Sequence, residues 1–142
     1  MPSINPKAKG AGYERELAHY LSDALGFKVW RTCVSTKFGD QHQGNHDLDG
    51  LPLISVEAKR KERLNFHEAY AQAKKNAATN HMPGVMTRRN RTPTGQSLVV
   101  LSLDDFLRLY GALLSVEGIT PSPENANERS LQQDHEHPAV CG

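Results

Sequence analysis

Apolar residues recur at three- and four-residue spacing across residues 9–25, at Tyr13, Leu17, Tyr20, Leu21, Ala24 and Leu25. That period predicts an amphipathic helix, stopped by Gly26. Residues 27–34 are rich in β-branched and aromatic side chains and predict a strand, whereas 35–45 hold glycine, glutamine and histidine with little apolar content and predict a loop. A second strand is expected at 47–49, turned by Asp49-Gly50, and a third at 53–59. A second helix is expected at 66–79, with Phe66, Ala69, Tyr70, Ala73 and Ala77 on one face. Strands at 84–88 and 97–101 enclose a polar turn with Pro93 and Gly95. A last helix begins near Asp104, with Phe106, Leu107, Tyr110 and Leu114 as its apolar set. Helices interleaved with strands in this order predict an α/β fold built on one mixed sheet.

The same pattern divides the chain into an extended N-terminal arm at 1–8, a folded domain at 9–114 and a flexible acidic tail at 115–142. With 37% hydrophobic and 23% charged residues in 142, the chain suits one globular domain. No apolar run approaches the ~20 residues that span a bilayer, and the N-terminus lacks a signal-like apolar stretch, so a cytoplasmic protein without membrane association is expected. Cys33 and Cys141 then read as free thiols. The net charge of +1 conceals an asymmetry: from Ser115 onward five acids and one base give −4, which leaves +5 for the rest. A basic domain is compatible with a polyanionic partner.

The carboxylates carry the chemistry. At 100° per residue, Glu14 falls in line with Leu17, Ala18, Leu21 and Leu25 on the core-facing stripe, where a charge is costly unless compensated. On the third strand Leu53, Ser55, Glu57 and Lys59 share one side, opposite Ile54, Val56 and Ala58. A hairpin at Asp49-Gly50 places Asp47 on the neighbouring strand. Glu14, Asp47 and Glu57 are then expected to converge beside the Lys59 ammonium, an oxygen-donor set suited to Mg²⁺. Taken singly, each acid also has an ordinary surface or ion-pair explanation; the joint arrangement is the rarer coincidence.

These residues resemble the PD-(D/E)XK nuclease superfamily, and within it the archaeal-type and phage-encoded Holliday junction resolvases. The resemblance rests on Lys9-Gly10, Tyr13-Glu14-Arg15-Glu16-Leu17, Gly26-Phe27-Lys28-Val29, Arg31, Ser35, His46-Asp47-Leu48 and Val56-Glu57-Ala58-Lys59, and spans about residues 7–110. It implies a restriction-endonuclease-like core in α-β-β-β-α-β order, with a central mixed β-sheet flanked by helices. It also implies Glu14, Asp47 and Glu57 as metal ligands, Lys59 as the catalytic lysine, and Ser35 on a loop near the scissile phosphate. The cofactor implied is Mg²⁺, with Mn²⁺ able to substitute and no small-molecule cofactor. The partner implied is branched double-stranded DNA, bound by a homodimer that nicks four-way junctions symmetrically. His46 stands where the superfamily's name has proline, and ten positions separate Asp47 from Glu57.

Arg15, Arg31, Arg60, Lys61 and Arg89 are candidate phosphate contacts, set against a solvated charged surface as the plain alternative. His42 and His46 beside Asp47 raise a zinc site, which ranks behind magnesium because no fourth ligand has suitable spacing. Gln72 is a further candidate near the site. Three readings follow: a structure-selective endonuclease of resolvase type; another DNA nuclease of repair, nicking or restriction type; and a DNA-binding relative without catalysis. Retention of all four site residues weighs against the last.

Overall fold

In the computed structural model, which describes residues 5–32 and 44–122, the first helix begins earlier than the apolar spacing predicts. The Asn5 side chain accepts from the Lys7 amide at 3.0 Å, and Pro6 sits where its missing N–H costs nothing. Helix α1 therefore runs Pro6–Leu25, and residues 6–8 belong to it rather than to an arm. Gly26, at φ 75°, closes it, its backbone N–H donating to the Ser22 carbonyl at 2.9 Å. Ser22 Oγ then accepts from the Val29 amide at 2.9 Å, tying the end of the helix to the chain that leaves it.

The strands are β1 (Trp30–Arg31), β2 (Leu48–Asp49), β3 (Ile54–Arg60), β4 (Met82–Arg88) and β5 (Leu98–Val100), with helix α2 (Phe66–Asn76) between β3 and β4. They form one five-stranded mixed sheet in the order β1-β2-β3-β4-β5. The β3–β4 pair is parallel, bridged through α2 as a parallel pair requires, and the other pairs are antiparallel. The first strand is much shorter than the expected 27–34, because the chain is still turning out of α1 through the exposed Phe27. Gly50 makes the β2–β3 turn at φ 92°; a Cβ there would lie 2.1 Å from the Lys28 carbonyl oxygen, so only glycine lets the two segments approach.

Alternation along β3 divides the core. Val56 and Ala58 pack with Tyr13, Leu17 and Ala18 of α1 and with Leu48. Val85 lies beside Glu57 in the β3–β4 register, hence on the opposite face, and packs on Ala69 and Ala73 of α2. One helix therefore covers each face, and Glu57 lies on the α2 side. Val56 and Val85 are fully buried, which contributes roughly 1.5–3 kcal/mol apiece.

The chain divides into two compact units, one ending at Ser102 and the other starting at Leu103. The described part of the second unit holds helix α3 (Leu103–Val116), with Asp104 and Asp105 in its first turn and the Phe106 and Tyr110 rings stacked at 5.9 Å. No helix among the described residues is long and apolar enough to cross a membrane. Cys33, Ser35, His42, Cys141 and most of the predicted tail lie outside the described residues.

Candidate active site

Strand register assembles the site. Leu48 pairs with Val56, so in this antiparallel ladder Asp47 stands opposite Glu57 and shares its face. The Asp47 amide donates to the Val56 carbonyl at 2.9 Å, and its Oδ2 accepts from the Ala58 amide at 2.9 Å. Glu57 is 2% exposed, with Oε1 accepting from Asn76 Nδ2 at 3.0 Å. Lys59, two residues along the same face, places Nζ 4.0 Å from Glu57 Oε2 and donates to Gln72 Oε1 at 2.9 Å. An acid pair and an ammonium held by an amide thus meet where β2 and β3 face α2.

Glu14 comes from the other face of the sheet. Its side chain is mostly buried, and its carboxylate pairs with the Arg31 guanidinium, the positive partner that a charge on the helix stripe requires. Glu14, Arg31, Asp47, Glu57, Lys59 and Gln72 all line one open cleft of about 980 Å³, shared with Lys7, Lys9, Arg60, Lys61 and Arg63. Among the described residues, however, no group of three Asp, Glu, His or Cys side chains is gathered closely enough to hold a metal ion. The expected three-acid convergence is therefore present as an Asp47–Glu57 pair, with Glu14 elsewhere on the cleft wall.

Of the expected phosphate contacts, Arg60 and Lys61 line this cleft, although Arg60 Nε donates to Asn90 Oδ1 at 3.2 Å. Arg31 is engaged by Glu14, Arg15 is exposed on α1, and Arg89 lines a neighbouring groove. His46 is buried and pairs through Nε2 with Asp49 Oδ1 at 2.8 Å, bracing the turn that presents Asp47. Asn76 was legible but overlooked: 69, 72, 73 and 76 form one helical stripe, and two of its four positions are amides among buried alanines. The half-buried Asn76 amide needs a polar partner and finds Glu57, while Gln72, exposed at the edge of the stripe, accepts from Lys59.

The electrostatics follow from the burial. Desolvation first, and the Asp47 charge second, push the Glu57 carboxyl from 4.5 to about 7, against the stabilising Asn76 bond and the Lys59 charge. The folded chain then retains a proton that the unfolded chain releases between about pH 4.5 and 7. Without metal, stability should fall as pH rises through this window and level off above it, by an amount on the order of 3 kcal/mol. Urea midpoints in EDTA at pH 5 and pH 8 measure this drop. Glu57→Gln should abolish it, and an unchanged pH dependence in that variant would assign the proton elsewhere.

A mixed five-stranded sheet flanked by helices, with Asp and Glu-x-Lys on adjacent strands, defines a restriction-endonuclease-like core. The family model described as "Phage putative PDDEXK endonuclease" matches residues 5–121, and the chain belongs to this family of PD-(D/E)XK nucleases. It is thus a nuclease, with DNA the substrate that an endonuclease family implies, and nucleases of this superfamily typically use divalent metal ions. No curated protein and no solved structure matches the chain.

Proposed function

We propose that the chain is a Mg²⁺-dependent, structure-selective DNA endonuclease of the Holliday junction resolvase type, acting in the cytoplasm as a homodimer that nicks a four-way junction symmetrically. The observation that carries the reading is the Asp47–Glu57 pair beside the amide-held Lys59, in a cleft that also holds six further lysines and arginines. Burial first, and the charge of the half-buried Asp47 second, raise the Glu57 carboxyl to about 7. Such a pair fits a divalent cation, which relieves the repulsion and supplies oxygen coordination. Asp47 and Glu57 would hold the ion, with Glu14 as the third carboxylate of the cleft. Bound there, Mg²⁺ supplies Lewis-acid polarisation of the phosphate and a lowered pKa for a bound water.

The protein's own groups do the rest. Gln72 fixes the Lys59 ammonium by accepting a hydrogen bond from it, leaving its other N–H groups for the attacking water or a phosphate oxygen. Asn76 donates to Glu57 and so keeps that carboxylate aimed. Lys7, Lys9, Arg60, Lys61 and Arg63 neutralise the flanking backbone. Ser35, which lies outside the described residues, completes the proposed catalytic set.

The test compares a synthetic four-way junction with linear duplex, flap and single strand, in Mg²⁺ and in EDTA. Paired symmetric nicks confined to the junction are expected, and sedimentation should give twice the chain mass. Cleavage of flap or linear duplex in preference to the junction would transfer the site to a repair, nicking or restriction role. Binding should weaken steeply with salt, and Lys61→Ala with Arg63→Ala should reduce the slope of log K against log salt by about 2. An unaltered slope would remove those two side chains from the interface.

A further inference from the structure

Beside the catalytic cleft lies a second groove of about 740 Å³, which shares Lys61, Glu62 and Arg63 with it. Its lining differs in kind. Phe66 and Leu98 present apolar surface that is 45% and 61% exposed, next to the partly buried Leu64. Arg89 and Gln96 face the same space and are exposed. The one acid of the lining, Glu62, accepts from the Asn90 amide at 2.6 Å at the turn after β4, and is outnumbered by Lys61, Arg63 and Arg89.

From this lining we infer that the groove receives an unpaired nucleotide of the DNA strand held in the catalytic cleft, with its base on Phe66 and Leu98 and its phosphates toward Lys61, Arg63 and Arg89. The inference rests on the nuclease reading and narrows its substrate to DNA with an unstacked base next to the scissile site. Adjacency argues for the occupant: the groove and the cleft share Lys61, Glu62 and Arg63, so a strand held in the cleft reaches the groove past these residues. A phosphate backbone gains nothing from an exposed phenyl ring and a leucine. Paired bases keep their faces inside the duplex stack, and only an extruded or single-stranded base has a free face to lay on them. The volume lies in the range of sites that enclose a small organic group. The polar group of Gln96 is of the type that meets a base edge.

The test is a binding measurement in EDTA, so that it does not depend on cleavage. The full-length protein is titrated into a duplex carrying a short gap or flap with 2-aminopurine at the unpaired position, and into the same duplex fully paired. Tighter binding of the unpaired form is expected, with a change in 2-aminopurine emission. Phe66→Ala should weaken that binding about tenfold or more and remove the preference, since one base–aromatic stack is worth about 1–3 kcal/mol. Phe66→Trp should retain the preference, and Leu98→Ser should reduce it without altering α2. Equal affinity of the wild type for both DNAs, absence of an emission change, or equal loss for both DNAs in Phe66→Ala would overturn the assignment. A wild type that shows the preference yet cleaves no DNA in Mg²⁺ would uphold the groove and end the nuclease reading.

Discussion

Glu57→Ala should remove Mg²⁺-dependent DNA cleavage, lowering the rate by at least about 10³-fold, while DNA binding stays within a few-fold of the parent. Glu57 is 2% exposed and contributes no surface for the duplex, so its effect on affinity is indirect. Its carboxylate stands beside Asp47 across the β2–β3 ladder, and removing either oxygen pair leaves one acid where a divalent cation needs several donors. For Asp47 the better variant is Asp47→Asn. Its Oδ2 accepts the Ala58 amide, and alanine would strand that N–H at a cost of about 1–3 kcal/mol unrelated to chemistry. Calorimetric titration with Mg²⁺ separates the outcomes: lost metal heat with retained DNA binding fits ligation. Parallel loss of binding, cleavage and thermal transition would mean that these acids hold the fold. Because Glu57 holds its proton up to about pH 7, metal binding at pH 6 should also release close to one proton, and less at pH 8.

Lys59→Ala should slow single-turnover nicking by about 10²–10³-fold and leave Mg²⁺ affinity nearly intact. The ammonium is 4.0 Å from Glu57 Oε2, too far for a strong hydrogen bond, and its donor contact is to Gln72 at 2.9 Å. It is thus placed next to the acid pair without being consumed by it, free to act on a phosphate or water. Gln72→Leu removes the acceptor that orients it and should cost a smaller factor, about tenfold. Lys59 also draws the Glu57 carboxyl downward, so Lys59→Ala should move the Glu57 titration, and the metal-free stability drop that follows it, to higher pH. A Lys59→Ala protein with undiminished nicking would exclude this ammonium from the reaction. One with the same pH profile as the parent would exclude it from the Glu57 field.

Periodicity and capping act over a few residues, and what they govern was readable in the chain. The apolar spacing around Tyr13 and Leu17 marked α1 and put Glu14 on its inner stripe, where the side chain is indeed mostly buried. Alternation along β3 separated Val56 and Ala58 from Glu57 and Lys59, and that division now separates the two halves of the core. The early start at Pro6 was also written locally, in an Asn-Pro cap that apolar spacing does not register. Asn76 and Gln72 were visible as amides on the α2 stripe that carries Ala69 and Ala73, although nothing nearby in the chain named Glu57 and Lys59 as their partners.

The sequence by itself determined the helices and strands, the sides on which their residues lie, and the set of acids and bases available to a site. Only the tertiary structure decided which of these meet. Asp47 faces Glu57 because Leu48 pairs with Val56, and a slip of one residue would turn Asp47 to the other face. Glu14 faces Arg31 across seventeen positions instead of completing an acid triad, and Lys59 meets Gln72 through the crossover of α2. Local preference cannot choose such pairings, because their energies arise only once distant segments have excluded water from between them.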